Sequence, residues 1–397
     1  MSDSVTSIEE SNAPKYVARL VLNSKNYGFG EKIFDKNKPG QNSVVPRQII
    51  KNPQAYEEAS KTPKVDKSVF EKYERQFIDN GPYNDWRDDL IENGFAVIKG
   101  AIPKERAQGY ENDMRDWIKS FSYSQSLDFN DRSTWVESNL PSHMPNNIYA
   151  LYCSSHEKFM WDARQEEGVI DTFAKIWGTR KLLVSFDAFN FGLPNRSDVP
   201  EPQPWPHIDQ SPFKRGIQCI QGIINLSDAS NENDGSLVVY KGSHKLLDQF
   251  LDTQTDKSEW KIKDSYIFTS DELKWFLEKG CQEIKVKAEP GDVIVWDSRT
   301  VHYGGAQQEG SNQIRSVIYA SYSPKDFATE QTLERKKKVF NQWQGTTHWA
   351  HDNIVMRDNV PLLANYEIDP EDRSEPRIKP EITQKLLRLA GAIPYDE

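Results

Sequence analysis

Between Leu182 and Tyr322 the chain breaks into about eight short β-prone runs with no helices alternating between them, and no other feature limits the fold as much. The runs are LLVSFDAFNF (182–191), QPWPHID (203–209), IQCIQGIINL (217–226), SLVVY (236–240), QEIKVKA (282–288), DVIVWD (292–297), VHYGG (301–305) and QIRSVIYASY (313–322). Gly, Pro, Asn and Asp turns separate most of them. A parallel sheet needs a helical crossover between strands. The pattern therefore predicts a mainly β architecture with flanking helices, an antiparallel sandwich or cupin-like jelly roll.

The flanks differ in texture. Residues 1–80 are polar apart from YVARLVL at 16–22 and read as an extension wrapping a domain over 81–330. FAVIKGAI (95–102) reads as a strand, the segment from Pro103 as a helix, and EEGVIDTFAKIW (166–177) as a second helix closed by Gly178. Residues 246–281, containing SDELKWFLEKG, are too long for a hairpin loop and predict a partly helical insertion. Residues 331–397 form a polar C-terminal extension expected to pack on the domain, and its LERKKK run (333–338) reads as a solvated helix face.

A net charge of −10 gives no basic footprint for nucleic acid. The three cysteines, Cys153, Cys219 and Cys281, are scattered, with no C-x-x-C and no disulfide framework. No apolar run is long enough to span a bilayer, and the N-terminal residues lack a signal-peptide pattern, so a cytoplasmic location is expected.

His207-Ile208-Asp209 places imidazole and carboxylate at i and i+2 of a probable strand, on one face. Seven His and 60 acidic residues in 397 produce such a triplet about once by chance, so its context must carry the argument. That context is the turn Glu289–Asp292, the apolar strand VIVW, and His302 emerging from the next loop. Two imidazoles and one carboxylate on one face of a metal leave three adjacent positions free for a chelating co-substrate and dioxygen. Thirteen residues after His302, Arg315 lies in the apolar strand IRSVIY. A guanidinium there suits the far carboxylate of a diacid better than an ammonium would.

PWPHIDQSP, NDGSLVVYKGSHK, PGDVIVWDSRTVHYGG and Arg315, in that order, resemble the phytanoyl-CoA dioxygenase-like family of Fe(II)/2-oxoglutarate oxygenases. The resemblance spans roughly 94–323. It implies a double-stranded β-helix, with His207, Asp209 and His302 as iron ligands and catalytic centre and Arg315 as the anchor of 2-oxoglutarate. It further implies oxidation of a small molecule by dioxygen with release of succinate and CO2, and no ligand role for His244 in the GSHK turn. Because Asp209 retains the carboxylate, hydroxylation, desaturation or a related oxidation is expected in place of chlorination. Arg315 is followed by Ser316 and Val317, so the R-x-S pattern of some relatives is absent. Gln218, Gln221, Ser185 and Asn190 are the candidates to assist Arg315, Gln218 and Gln221 foremost. His348 and His351 in TTHWAH are read as surface or lid packing. Trp205, Trp343 and Trp349 are read as core residues or pocket walls. Two rival readings stand beside this one: a jelly-roll metalloenzyme that does not use 2-oxoglutarate, and a catalytically silent binding or scaffold protein.

Overall fold

Six strands form the larger sheet of the computed structural model, which describes residues 47–199 and 203–395. Their order across the sheet is Phe95–Ile98, Val293–Asp297, Ile220–Asn225, Arg315–Tyr319, Phe189–Gly192 and Ile148–Tyr149. A second sheet runs Gln282–Lys285, Ser236–Lys241, His302–Gly305, His207–Ile208 and Tyr266–Ile267. All pairings are antiparallel. Leu237 and Val239 of the smaller sheet share a core with Ile223, Ile294, Trp296 and Val317 of the larger, so the two sheets face each other as the sequence pattern predicts.

Side chains alternate across each strand and give the larger sheet two unlike faces. Ala96, Ile220, Ile224, Val293, Val295 and Ile318 point outward into an apolar layer built with the helices Lys104–Ile118 and Glu167–Trp177. The second helix ends at Gly178 in the left-handed conformation (φ 65°), as read from the sequence. It lies so close to the sheet that a Cβ on Gly222 would fall 2.5 Å from the Ala320 carbonyl and 2.8 Å from the Phe173 ring. Gln221, Ile223, Trp296, Arg315 and Tyr319 point inward.

The expected insertion carries helices Ser243–Gln254 and Ser270–Glu278 around a separate apolar cluster of Leu247, Phe250, Phe268 and Phe276. His244 of the GSHK turn lies in the first of these, with Nε2 3.1 Å from the Ile91 carbonyl.

Three readings need correction. LLVSFDAFNF is two strands: Leu182–Val184 pairs with Tyr322–Pro324, and only Phe189–Gly192 joins the large sheet. QPWPHID pairs only at His207–Ile208, because Pro204 and Pro206 have no N–H to offer a ladder. LERKKK is not uniformly solvated: Lys336 is fully buried, donating from Nζ to the Val184 carbonyl at 2.6 Å and lying 3.9 Å from the centre of the Phe186 ring. One residue of any such run must face the core at helical period.

At the N-terminal side, Gln48–Ile49 pairs with Val360–Pro361, and the helix Lys67–Asp79 buries Tyr73 and Phe77. YVARLVL at 16–22 lies outside the described residues. Among those described, no helix is long and apolar enough to cross a membrane.

Candidate metal centre

The smaller sheet brings the two distant histidines together directly: His302 pairs with His207 across neighbouring antiparallel strands, and their ring centres are 4.4 Å apart. Each ring is fixed by its own chain. His207 Nδ1 lies 3.0 Å from the Trp205 carbonyl and His302 Nδ1 lies 2.8 Å from that of Thr300. A carbonyl only accepts, so both Nδ1 atoms carry the proton and both Nε2 atoms are left as bare lone pairs. Trp205 stacks on His207 with ring centres 3.9 Å apart, which holds the imidazole plane.

Asp209, two residues beyond His207, closes the group. Its Oδ1 is 3.5 Å from His207 Nε2 and its Oδ2 is 3.3 Å from His302 Nε2. The ligand-type atoms of all three residues lie within 4.8 Å of one another. Burial pushes the Asp209 carboxyl up, but the close imidazoles, His207 foremost with His348 and His302, outweigh this and hold it well below the usual range. Burial and the neighbouring His207 push His302 down, toward the neutral imidazole that a metal requires. These are the donors of a 2-His-1-carboxylate site.

The group sits in the wall of a cavity of about 440 Å3 between the sheets. Arg315 enters the same cavity from the larger sheet, opposite Gly192 in register. It is 7% exposed, yet its guanidinium makes no hydrogen bond or ion pair among the described residues, and its Nε is fully buried. A buried guanidinium without an acceptor is costly, and a carboxylate from a bound diacid is the group that would complete it. Gly235 leaves room for the side chain, since a Cβ there would stand 3.1 Å from Arg315 Cδ. The residues present thus fit both a divalent cation and a 2-oxoglutarate carboxylate.

Of the candidates to assist Arg315, Gln221 and Asn190 line the cavity and Gln218 and Ser185 do not. Gln221 Nε2 is buried without a partner among the described residues, and Asn190 Nδ2 donates to the Asn146 carbonyl at 2.6 Å. Gln218 lies outside because residues three apart in extended chain face opposite ways, and its amide donates to the Arg215 carbonyl instead. The Ser185 hydroxyl accepts from the Ser321 amide in the outer layer. Trp296, Tyr319 and Gln307 also line the cavity and were not singled out from sequence, although strand parity from Arg315 points Tyr319 inward; Trp296 stands opposite Gln221 in a register only the structure gives.

The TTHWAH pair separates. His348 lines the cavity with Nε2 2.9 Å from the Asp209 carbonyl oxygen. His351 is not at the surface: it is interior, packed on Phe70, Phe327 and Trp349, and burial pushes it down to about 3. Trp205 is a cavity wall, and Trp349 is wholly buried.

Comparison with known proteins places the chain in a family. Residues 90–317 match the phytanoyl-CoA dioxygenase (PhyH) family. Ava biosynthesis cluster protein O of Aspergillus versicolor is 39% identical over 286 residues, covering 71% of this chain and 91% of that protein. Two solved structures share the fold: a hypothetical protein from Escherichia coli (TM-score 0.51, 14% identity, 80% of this chain and 84% of that one) and GlcNAc Inducible Gene 2 of Candida albicans (TM-score 0.50, 12% identity, 87% and 85%). The chain belongs to the phytanoyl-CoA dioxygenase family of Fe(II)- and 2-oxoglutarate-dependent oxygenases.

Proposed function

We propose that this protein is a dioxygenase that oxidises a small organic molecule, consuming 2-oxoglutarate and dioxygen and releasing succinate and CO2. His207, Asp209 and His302 hold the ferrous ion, and Arg315 binds the far carboxylate of 2-oxoglutarate, while Gln221 lies on the same inward face further along the neighbouring strand, opposite Trp296. The observation that carries the reading is the pairing of a preformed 2-His-1-carboxylate group with a buried guanidinium that has no acceptor among the described residues, in one cavity.

When bound, iron and 2-oxoglutarate supply oxidising power through decarboxylation of the keto acid. The chain's own residues do the rest. Trp205 O and Thr300 O each hold an imidazole proton on Nδ1, so that Nε2 faces the ion. Asp209 contributes the negative charge that balances part of the cation. Retention of that carboxylate supports hydroxylation, desaturation or a related oxidation over chlorination. Trp205, Trp296 and Ile223 form apolar walls that limit water around the reacting atoms. A 39% identical relative named as a biosynthesis cluster protein supports a small metabolite as substrate.

The test is anaerobic loading with Fe(II) and 2-oxoglutarate. A visible charge-transfer band is expected in the wild type, and Arg315→Ala should require far more 2-oxoglutarate to develop it. A band that forms with unchanged 2-oxoglutarate affinity in Arg315→Ala would remove 2-oxoglutarate from the role given to it. Absence of any band in the wild type would remove the oxygenase reading. A metabolite screen for stimulated succinate release would then identify the substrate.

A further inference from the structure

The cavity has two halves of different origin. The metal group, Gln221, Trp296 and Arg315 come from strands inside the family-matched span, 90–317. The remaining wall includes Gln48, Asn52 and Tyr56 from the N-terminal side and His348, Met356 and Arg357 from the C-terminal side, all outside that span. The two flanks are tied to each other by the short ladder of Gln48–Ile49 with Val360–Pro361. They therefore build the part of the cavity that the family match does not cover.

Arg357 stands out in this half. Its Nη1 is buried and makes no hydrogen bond, and the guanidinium has no hydrogen-bonded acceptor among the described residues. The nearest carboxylate oxygen, Asp187 Oδ1, is 3.7 Å away, too far for a hydrogen bond, and already accepts from the Ala188 amide at 2.7 Å. Arg164 shows what an arginine does in the same neighbourhood when its role is structural: Nη1 and Nη2 donate to the Ser155 and Asp187 carbonyls at 2.6 and 2.7 Å. The Arg357 backbone is held in place, with its amide donating to the Gly345 carbonyl at 2.9 Å. Gly345 is itself pressed so close to Ser155 that a Cβ would fall 2.6 Å from the Ser155 hydroxyl. Burial pushes the guanidinium below its ordinary value, and Asp187 offsets this only in part. A positioned donor with its acceptor missing, in a cavity wall, points to an acceptor that arrives with the ligand.

We propose that Arg357 anchors the prime substrate, and that this substrate presents a carbonyl or carboxylate oxygen to Nη1. The proposal rests on the oxygenase reading, in which Arg315 is taken by 2-oxoglutarate and Arg357 is the second open guanidinium of the cavity. Asp187 sets the balance between the two acceptor types: as an anion beside Arg357 it favours a neutral carbonyl, and it weakens the hold on a carboxylate.

The test uses the full chain with benzamide, benzoate and toluene as probes, followed by tryptophan fluorescence in the metal-free protein and again in the anaerobic Fe(II)–2-oxoglutarate complex. Wild type is expected to bind one or both acceptor-bearing probes more tightly than toluene. Arg357→Gln should weaken that binding about ten- to a hundredfold, the loss of one hydrogen bond to a charged donor, and leave toluene unaffected. Arg357→Lys, which keeps a charged donor, should fall between them and guards against a glutamine variant that folds poorly. Asp187→Asn should tighten benzoate selectively. Equal probe affinities in wild type and both Arg357 variants, or no binding of either acceptor probe to wild type, overturns the proposal. So does loss of 2-oxoglutarate affinity in Arg357→Gln, which would assign this arginine to the co-substrate. A wild type without the charge-transfer band but with Arg357-dependent probe binding would sink the oxygenase reading and leave the anchor standing.

Discussion

The two faces of the six-stranded sheet are built from the same strands and follow opposite rules. On the outer face polar groups are few and several are matched: Trp177 Nε1 donates to the Tyr322 carbonyl at 2.8 Å, and the Ser316 hydroxyl to Glu111 at 3.2 Å, with the Tyr149 hydroxyl an exception that is buried without a hydrogen bond among the described residues. On the inner face, one residue along each strand, Gln221 Nε2, Trp296 Nε1 and Arg315 Nε are buried without partners among the described residues. Each unmade bond costs about 1–3 kcal/mol, which selection for stability alone would remove. The outer face holds the fold together, and the inner face is incomplete until something binds.

The largest effect that can break this comparison is on stability from the outer side. Ile318→Ala empties a fully buried position between sheet and helices and should cost about 2–5 kcal/mol in chemical denaturation of the metal-free protein. Arg315→Met, three residues earlier and facing inward, should leave metal-free stability unchanged or raised, because no hydrogen bond is lost. It should also weaken 2-oxoglutarate binding on the order of a hundredfold. If Arg315→Met destabilised the metal-free protein as much as Ile318→Ala, the two faces would not differ in the way described.

A matched pair of tryptophans sharpens the same point at smaller scale. Trp177→Phe strands the Tyr322 carbonyl, whereas Trp296→Phe deletes a donor that had no partner. Both lose similar ring area, so the difference between their denaturation free energies reports the hydrogen bond, with Trp177→Phe worse by about 1–3 kcal/mol. Equal losses would mean that the Trp296 nitrogen is satisfied in solution and that the inner face is not short of partners there.

What could be read from the chain follows from how local each signal is. Strand alternation announced the sandwich, the i, i+2 spacing put His207 and Asp209 on one face, and the apolar context of Arg315 announced a buried guanidinium. The same alternation, applied strictly, separates Gln221 from Gln218, which cannot both face inward. Arg357 and Gln48 gave no comparable signal. They reach the cavity through a pairing of segments about three hundred residues apart, Gln48 with Pro361, and nothing periodic in either segment marks it. Lys336 was hidden by its neighbours: five residues of one charged run face solvent wholly or in part, and the sixth enters the apolar layer.

That lysine offers the finest test, because it is a polar group on the well-satisfied side of the molecule whose accounting involves a proton. Lys336 Nζ donates to the Val184 carbonyl among apolar neighbours, and burial, with Arg164 nearby, pushes it well below its ordinary value. In the unfolded chain the amine titrates near 10.5. Between the depressed folded value and 10.5 the unfolded chain therefore binds one more proton than the folded one. Stability should then rise with pH through this interval, by at most about 1.4 kcal/mol per unit, and the full deficit is present below the folded value. Lys336→Met removes the titrating group while keeping an apolar chain of similar length, so its denaturation midpoint should rise less steeply with pH than that of the wild type. Parallel pH profiles for the two proteins would show that the amine keeps its proton when buried, and that the outer layer tolerates an unneutralised charge that the contrast with the inner face says it should not.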